Sequence, residues 1–191
     1  MKALRLFIPI FIAALALGHV GAARASGGTY HFEGGTAHER SQVRQALAVS
    51  RFNWSIVPGD IAIHIERGVD THSVKGNIYL DAGLLDTGQF AWGTVQDEYS
   101  HQVDFFLFTP SIRAQLQSAL GAKAWCYENP AFQAHADQGC ERFTSMVPWA
   151  YWQSKNNPYR PASKTDESAS MPAGKFRQLL GRLLGPAVTD R

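Results

Sequence analysis

Gly93-Thr94-Val95-Gln96-Asp97-Glu98-Tyr99-Ser100-His101-Gln102-Val103-Asp104 is the stretch whose reading decides the fold. Its centre is Asp97-Glu98-x-x-His101. Residues four apart share one face of a helix, so Asp97 and His101 are placed to hold one metal ion, with Glu98 beside them as a base. Val95, Tyr99, Val103 and Phe106 recur at helical spacing, and Phe105, Leu107 and Phe108 widen the apolar face at one end. The pattern predicts a buried helix from about Phe90 to Phe108.

Before this helix, Ile61-Ala62-Ile63-His64-Ile65-Glu66 alternates in the manner of a strand, and Gly76-Asn77-Ile78-Tyr79-Leu80-Asp81 is rich in β-formers. They read as a hairpin or as neighbouring strands. Thr36-Ala37-His38-Glu39 is a capping box, opening a helix from Ala37 to about Arg51. The preceding run from Ser26 to Gly35 is Gly-rich and reads as frayed.

After the central helix, Pro110 is a stop and Ser111 a cap for a shorter helix, which Gly121 ends. Cys140-Glu141-Arg142-Phe143 opens a further helix running to Trp152, with a kink or break expected at Pro148. Residues 154–174 carry Ser, Pro, Lys and Asn without an apolar period and read as a linker or exposed loop. Phe176, Leu179, Leu180, Leu183 and Leu184 form one stripe of a last amphipathic helix, from Lys175 to Leu184, which is expected to pack back on the domain.

Lys2 and Arg5, an apolar run from Leu6 to Leu17, and Ala23-Arg24-Ala25 before Ser26 have the form of a signal peptide. The run is too short to span a membrane. The expected exported chain, from Ser26 onward, suits one domain. It loses three of the chain's 18 basic residues and none of its 16 acidic ones, leaving a net charge of −1. That balance gives no basic stripe for nucleic acid. Two cysteines in an exported chain, Cys126 and Cys140, suggest a disulfide, which for a loop of roughly 15 residues is worth about 3 kcal/mol. No G-x-S-x-G elbow or phosphate loop is present, and bonded cysteines make poor nucleophiles.

A metal reading needs a third donor from elsewhere, and Glu141 is the first choice. His135 and Asp137 are the alternatives in the same loop. Asp97-Glu98-Tyr99-Ser100-His101 followed by Glu141-Arg142-Phe143-Thr144-Ser145 resembles the gluzincin group of metallopeptidases. In that group H-E-x-x-H lies on one helix and a Glu on a later helix completes the zinc site. The resemblance covers about residues 61–151. It implies an α+β, zincin-like fold, in which a small sheet packs on the active-site helix with further helices after it.

It also implies zinc held by Asp97, His101 and Glu141, and Glu98 as catalytic base. Asn77, Ile78, Tyr79 and Leu80 would be the edge strand that receives an extended peptide. Asp97 stands where the family has its first His, and Ser145 where some members carry an orienting Asp. An aspartate there is a shorter ligand and adds negative charge to the site.

Asp104, one turn after His101, is a candidate to hold its other ring nitrogen. Tyr79, Tyr99, Tyr127 and Tyr151 are candidates to donate to an oxyanion. His31, His38, His64 and His72 lack ligand spacing and read as structural. The implied function is a secreted zinc peptidase acting on peptides or proteins. The alternative is an inactive zincin-like chain that binds a peptide or protein partner.

Overall fold

The computed structural model describes residues 28–126 and 134–189. The expected signal segment and Tyr127 lie outside them. The architecture is mixed α+β. Four strands form one sheet: β1 (Tyr30–Gly34), β2 (Ile61–Glu66), β3 (His72–Val74) and β4 (Asn77–Asp81). The helices are α1 (Ala37–Val49), α2 (Ala82–Leu85), α3 (Gln89–Leu107), α4 (Pro110–Leu120), α5 (Gly139–Tyr151) and α6 (Ala173–Leu184).

The strand order is β1-β2-β4-β3. β1 and β4 both run parallel to β2, while β3 turns back antiparallel on β4. Parallel neighbours need a crossover, and α1 supplies it between β1 and β2. Of the two arrangements expected, the structure has the neighbouring strands, β2 and β4 being parallel partners, and the hairpin is β3–β4. Its turn needs Gly76, whose φ is 82°. β1 arises from residues expected to fray. Tyr30 and Phe32 alternate toward the core and pair with Ile61 and Ile63.

Asn77–Leu80 does not form the edge that was expected of it. β4 is flanked on both sides, and β3 takes the outer position. The reason is local: a short strand two residues upstream closes on β4 before any external chain can reach it.

Along α3, Val95, Tyr99 and Val103 are fully buried, as the periodicity requires. Most of the polar residues between them are buried too, and two glutamines tie the helix to its neighbours. Gln96 donates to Ala46 O of α1. Gln102 donates to Val74 O and Asn77 O and accepts from Gly76 N, which locks the β3–β4 hairpin onto the helix. Ser73 Oγ donates to Glu98 O at 2.9 Å.

The capping box at Thr36 and Glu39 is formed as expected. At α4 the cap is Thr109 rather than Ser111, with Pro110 in the first helical turn, where its missing N–H costs nothing. Pro148 lies inside a continuous α5. α6 packs against α5 through buried Phe176 and Leu180, and Arg177 donates to Ala150 O.

The segment expected as a linker or exposed loop, residues 154–174, holds a 3-10 turn at Glu167–Ala169, α6 already begins at Ala173, and the segment is pinned to the helices. Asn157 is buried and donates to Pro148 O and Trp152 O. Asp166 closes a turn by accepting from Ala162 N and Ser163 N. The segment approaches α3 at Gly93, where a Cβ would stand 2.8 Å from Pro158 and 2.9 Å from Asn157 Oδ1.

Gly93→Ala therefore forces this segment off α3. The expected cost is about 1–3 kcal/mol, read as a lower denaturation midpoint in urea. An unchanged midpoint would show that the close approach carries no weight.

Candidate metal centre

α3 and α5 face each other across a cleft of about 460 Å³, whose walls include Glu98 and His101 from α3 and Glu141 from α5. Each helix delivers its residue for a local reason. On α3, the apolar face turned to the core leaves Asp97, Glu98 and His101 on the side facing α5. On α5, the disulfide and Trp125 fix the first turn. Cys126 and Cys140 are bonded, with their Cα atoms 5.5 Å apart. Gly139 lets Trp125 lie against the helix start, where a Cβ would meet its ring at 2.5 Å.

His101 Nε2 lies 3.7 Å from Glu141 Oε2. Burial holds the His101 ring below its ordinary pKa, although Glu141 opposes this, so the imidazole is neutral near pH 7. Burial pushes Glu141 upward, but the hydrogen bond from His135 and the His101 and His135 charges outweigh it. Glu141 therefore stays ionised. A neutral imidazole and an ionised carboxylate are the states a metal takes as ligands.

Among the described residues, the donor atoms of His101, Cys140 and Glu141 lie within 4.8 Å of one another. The sulfur of Cys140 is in the disulfide and offers no thiolate. The usable pair is His101 and Glu141.

Glu98 also lines the cleft. Burial raises its carboxyl to about 7, with Ser73 pulling down and the Glu141 charge pushing up. Its Oε2 is buried and has no hydrogen-bond partner among the described residues. A buried carboxylate oxygen without a partner is costly, which accords with the raised pKa.

Asp97 lines the cleft but does not join the His101–Glu141 pair. It bonds to Thr144 on α5 and to the hydroxyl of Tyr159. Burial, then the charges of Glu98 and Glu141, hold its pKa well above the carboxylate range.

Asp104 does not brace His101. Its carboxylate accepts from Arg113 Nε at 2.8 Å and Trp125 Nε1 at 3.0 Å, which anchors α4 and the cysteine loop to α3. Tyr99 and Tyr151 are buried in the core, and Tyr79 stacks between His64 and His72. None of the three lines the cleft, whereas His72 does, against the structural role expected of it.

His135 stands beside the pair. Its Nε2 is 3.0 Å from Glu141 Oε2 and its Nδ1 is 2.7 Å from Glu167 Oε1. These two hydrogen bonds raise its pKa to about 10 against the opposing effect of burial. Asp137, the other alternative, pairs with Lys123 instead.

No protein-family model, curated protein or solved structure matches the chain.

Tyr159 and Glu167 are the residues that sequence reasoning missed. Both come from the segment read as a linker, and no spacing or motif there points back to α3 or α5. His135 was visible only as an alternative donor.

The raised pKa of His135 gives a signed prediction. Its interaction stabilises the fold fully below the ordinary histidine value of about 6.5, and the gain is lost as pH rises through about 10. In chelator-treated protein, His135→Gln should lower the thermal midpoint at pH 6, and the gap should close by pH 10.5. A gap that stays constant across that range would refute the ion-pair assignment.

Proposed function

We propose that the chain is a zinc-dependent peptidase of zincin-like architecture. His101 and Glu141 are two of the metal ligands and Glu98 is the general base. The observation that carries this reading is the convergence of Glu98, His101 and Glu141 from two helices on one cleft. The donor set fits zinc: a neutral imidazole, an ionised carboxylate, and beside them an unpartnered buried carboxylate oxygen. Bound there, zinc would act as a Lewis acid on a substrate carbonyl.

The remaining work falls to the chain's own groups. Glu98, with a carboxyl near 7, is matched to take a proton from the attacking water and return it to the leaving amine. β3 is the edge strand on this side of the sheet, and His72 and Ser73 line the cleft. An extended peptide would lie along β3, in the role first assigned to Asn77–Leu80. The signal-like N-terminus and the disulfide support a secreted protein. No helix among the described residues is long and apolar enough to cross a membrane.

One observation favours a second reading. His135 already balances the charge of Glu141 and Glu167, as it would in an inactive chain that keeps the cleft to bind a peptide or protein.

The test is peptide hydrolysis by zinc-loaded protein against a mixed peptide library. Glu98→Gln should lower the rate by about 10²–10⁴-fold while leaving zinc content unchanged. Wild-type protein that binds zinc and peptides yet cleaves none would establish the second reading.

A further inference from the structure

We propose that the Cys126–Cys140 bond is a redox gate on the metal site: once the bond is reduced, the Cys140 thiolate joins His101 and Glu141 as the third ligand. The inference rests on the metal reading above and deepens it, naming a third protein ligand and the condition that frees it.

His101, Cys140 and Glu141 are the group whose donor atoms converge, all within 4.8 Å of one another. The Cys140 sulfur lies 3.4 Å from Glu141 Oε1, and His101 Nε2 lies 3.7 Å from Glu141 Oε2. Ligands held tetrahedrally at about 2.0 Å for N and O and about 2.3 Å for S stand roughly 3.3–3.6 Å apart. Small side-chain shifts therefore suffice for the three to share one ion. Asp97 and Cys126 are outside the group.

While the sulfurs are bonded to each other, Cys140 has no thiolate to offer. A dithiol reductant opens the bond in two exchange steps. Cys126 lines the cleft and is partly exposed, whereas Cys140 is fully buried, so Cys126 is the sulfur within reach. A reductant thiolate attacks Cys126 Sγ, the S–S bond breaks, and the Cys140 sulfur leaves with the electron pair. The second reductant thiol then displaces Cys126 from the mixed disulfide. Two electrons have passed to the protein, and the reductant ends as a disulfide. Attack on the accessible cysteine thus releases the one that belongs to the donor group.

The position of Cys140 does not depend on the bond alone. Gly139 N donates to Ala124 O at 2.8 Å, Lys123 N donates to Asp137 O at 2.8 Å, and Arg142 Nε donates to Ala136 O at 2.6 Å. Trp125 lies against Gly139 at the start of α5. These contacts keep the cysteine loop on the helix after reduction.

The charge also suits a buried ion. One thiolate, one carboxylate and a neutral imidazole cancel a divalent cation, and zinc accepts all three donor types. In the oxidised chain only His101 and Glu141 remain, so the ion is held weakly.

The test is cobalt(II) titration of the metal-free full chain, oxidised or reduced with a dithiol that is then removed under nitrogen. The readouts are thiolate-to-cobalt charge-transfer absorption, and affinity by zinc competition. Reduced wild type should take up one ion with this absorption. Oxidised wild type should bind more weakly, by at least the roughly 100-fold that loss of a mere supporting residue can cost, and without the absorption. Cys126→Ser and Cys140→Ser lose the bond equally, which separates its loss from loss of the ligand. Cys126→Ser should match reduced wild type without any reductant, and Cys140→Ser should bind no more tightly than oxidised wild type. Ion uptake in neither oxidation state would defeat the metal reading and this inference with it. Equal affinity in both states, the absorption in Cys140→Ser, or unfolding of wild type on reduction would overturn this inference alone.

Discussion

Glu141 is an ionised carboxylate buried between two imidazoles, and such a group is stable only where positive or donating partners are fixed around it. That requirement explains the construction on this side of the molecule. The disulfide sets the first turn of α5, Trp125 packs on Gly139, and Arg142 ties the His135 turn to the helix that carries Glu141. Asp104, itself buried, spends its hydrogen bonds on Arg113 and Trp125 to hold α4 and the cysteine loop in register with α3. Each contact is modest alone, and together they fix the distance between the two helices that share the cleft.

The electrostatics of the cleft divide its carboxyl groups by environment. Glu141, with imidazoles beside it, is held ionised; Glu98, with an open oxygen and little help, sits near 7; burial and the neighbouring carboxylates hold Asp97 well above the carboxylate range. Groups whose pKa values are driven apart in one cleft can take different chemical roles. The proposed reading uses that division, with Glu141 as ligand and Glu98 as base. Asp97, for its part, links α3 to Thr144 and Tyr159.

The helical part of the fold was legible in the sequence because its signals are local. The capping box at Thr36, the apolar period of α3 and the stripe of α6 each lie within one element. What was not legible depends on distant pairing. Tyr30–Gly34 becomes a strand only because β2 offers a parallel partner, and β3 takes the edge only because Gly76 folds it back on β4. At the site, Glu98, His101 and Glu141 were visible through their spacing on helices. Asp104 was assigned to His101 from helical proximity, but the stronger donors, Arg113 and Trp125, come from other elements. Tyr159 and Glu167 arrive on a segment without periodicity, admitted to the helix by a glycine at position 93 whose purpose shows only in three dimensions.

The proposed metal site in the α3–α5 cleft rests on His101 and Glu141. Anomalous diffraction at the zinc edge, on crystals grown with zinc, tests it most directly. The account predicts a single peak within bonding distance of His101 Nε2 and a Glu141 oxygen, with Asp97 still bonded to Thr144 and Tyr159. A cleft without a peak, or a peak coordinated by Asp97, would contradict it.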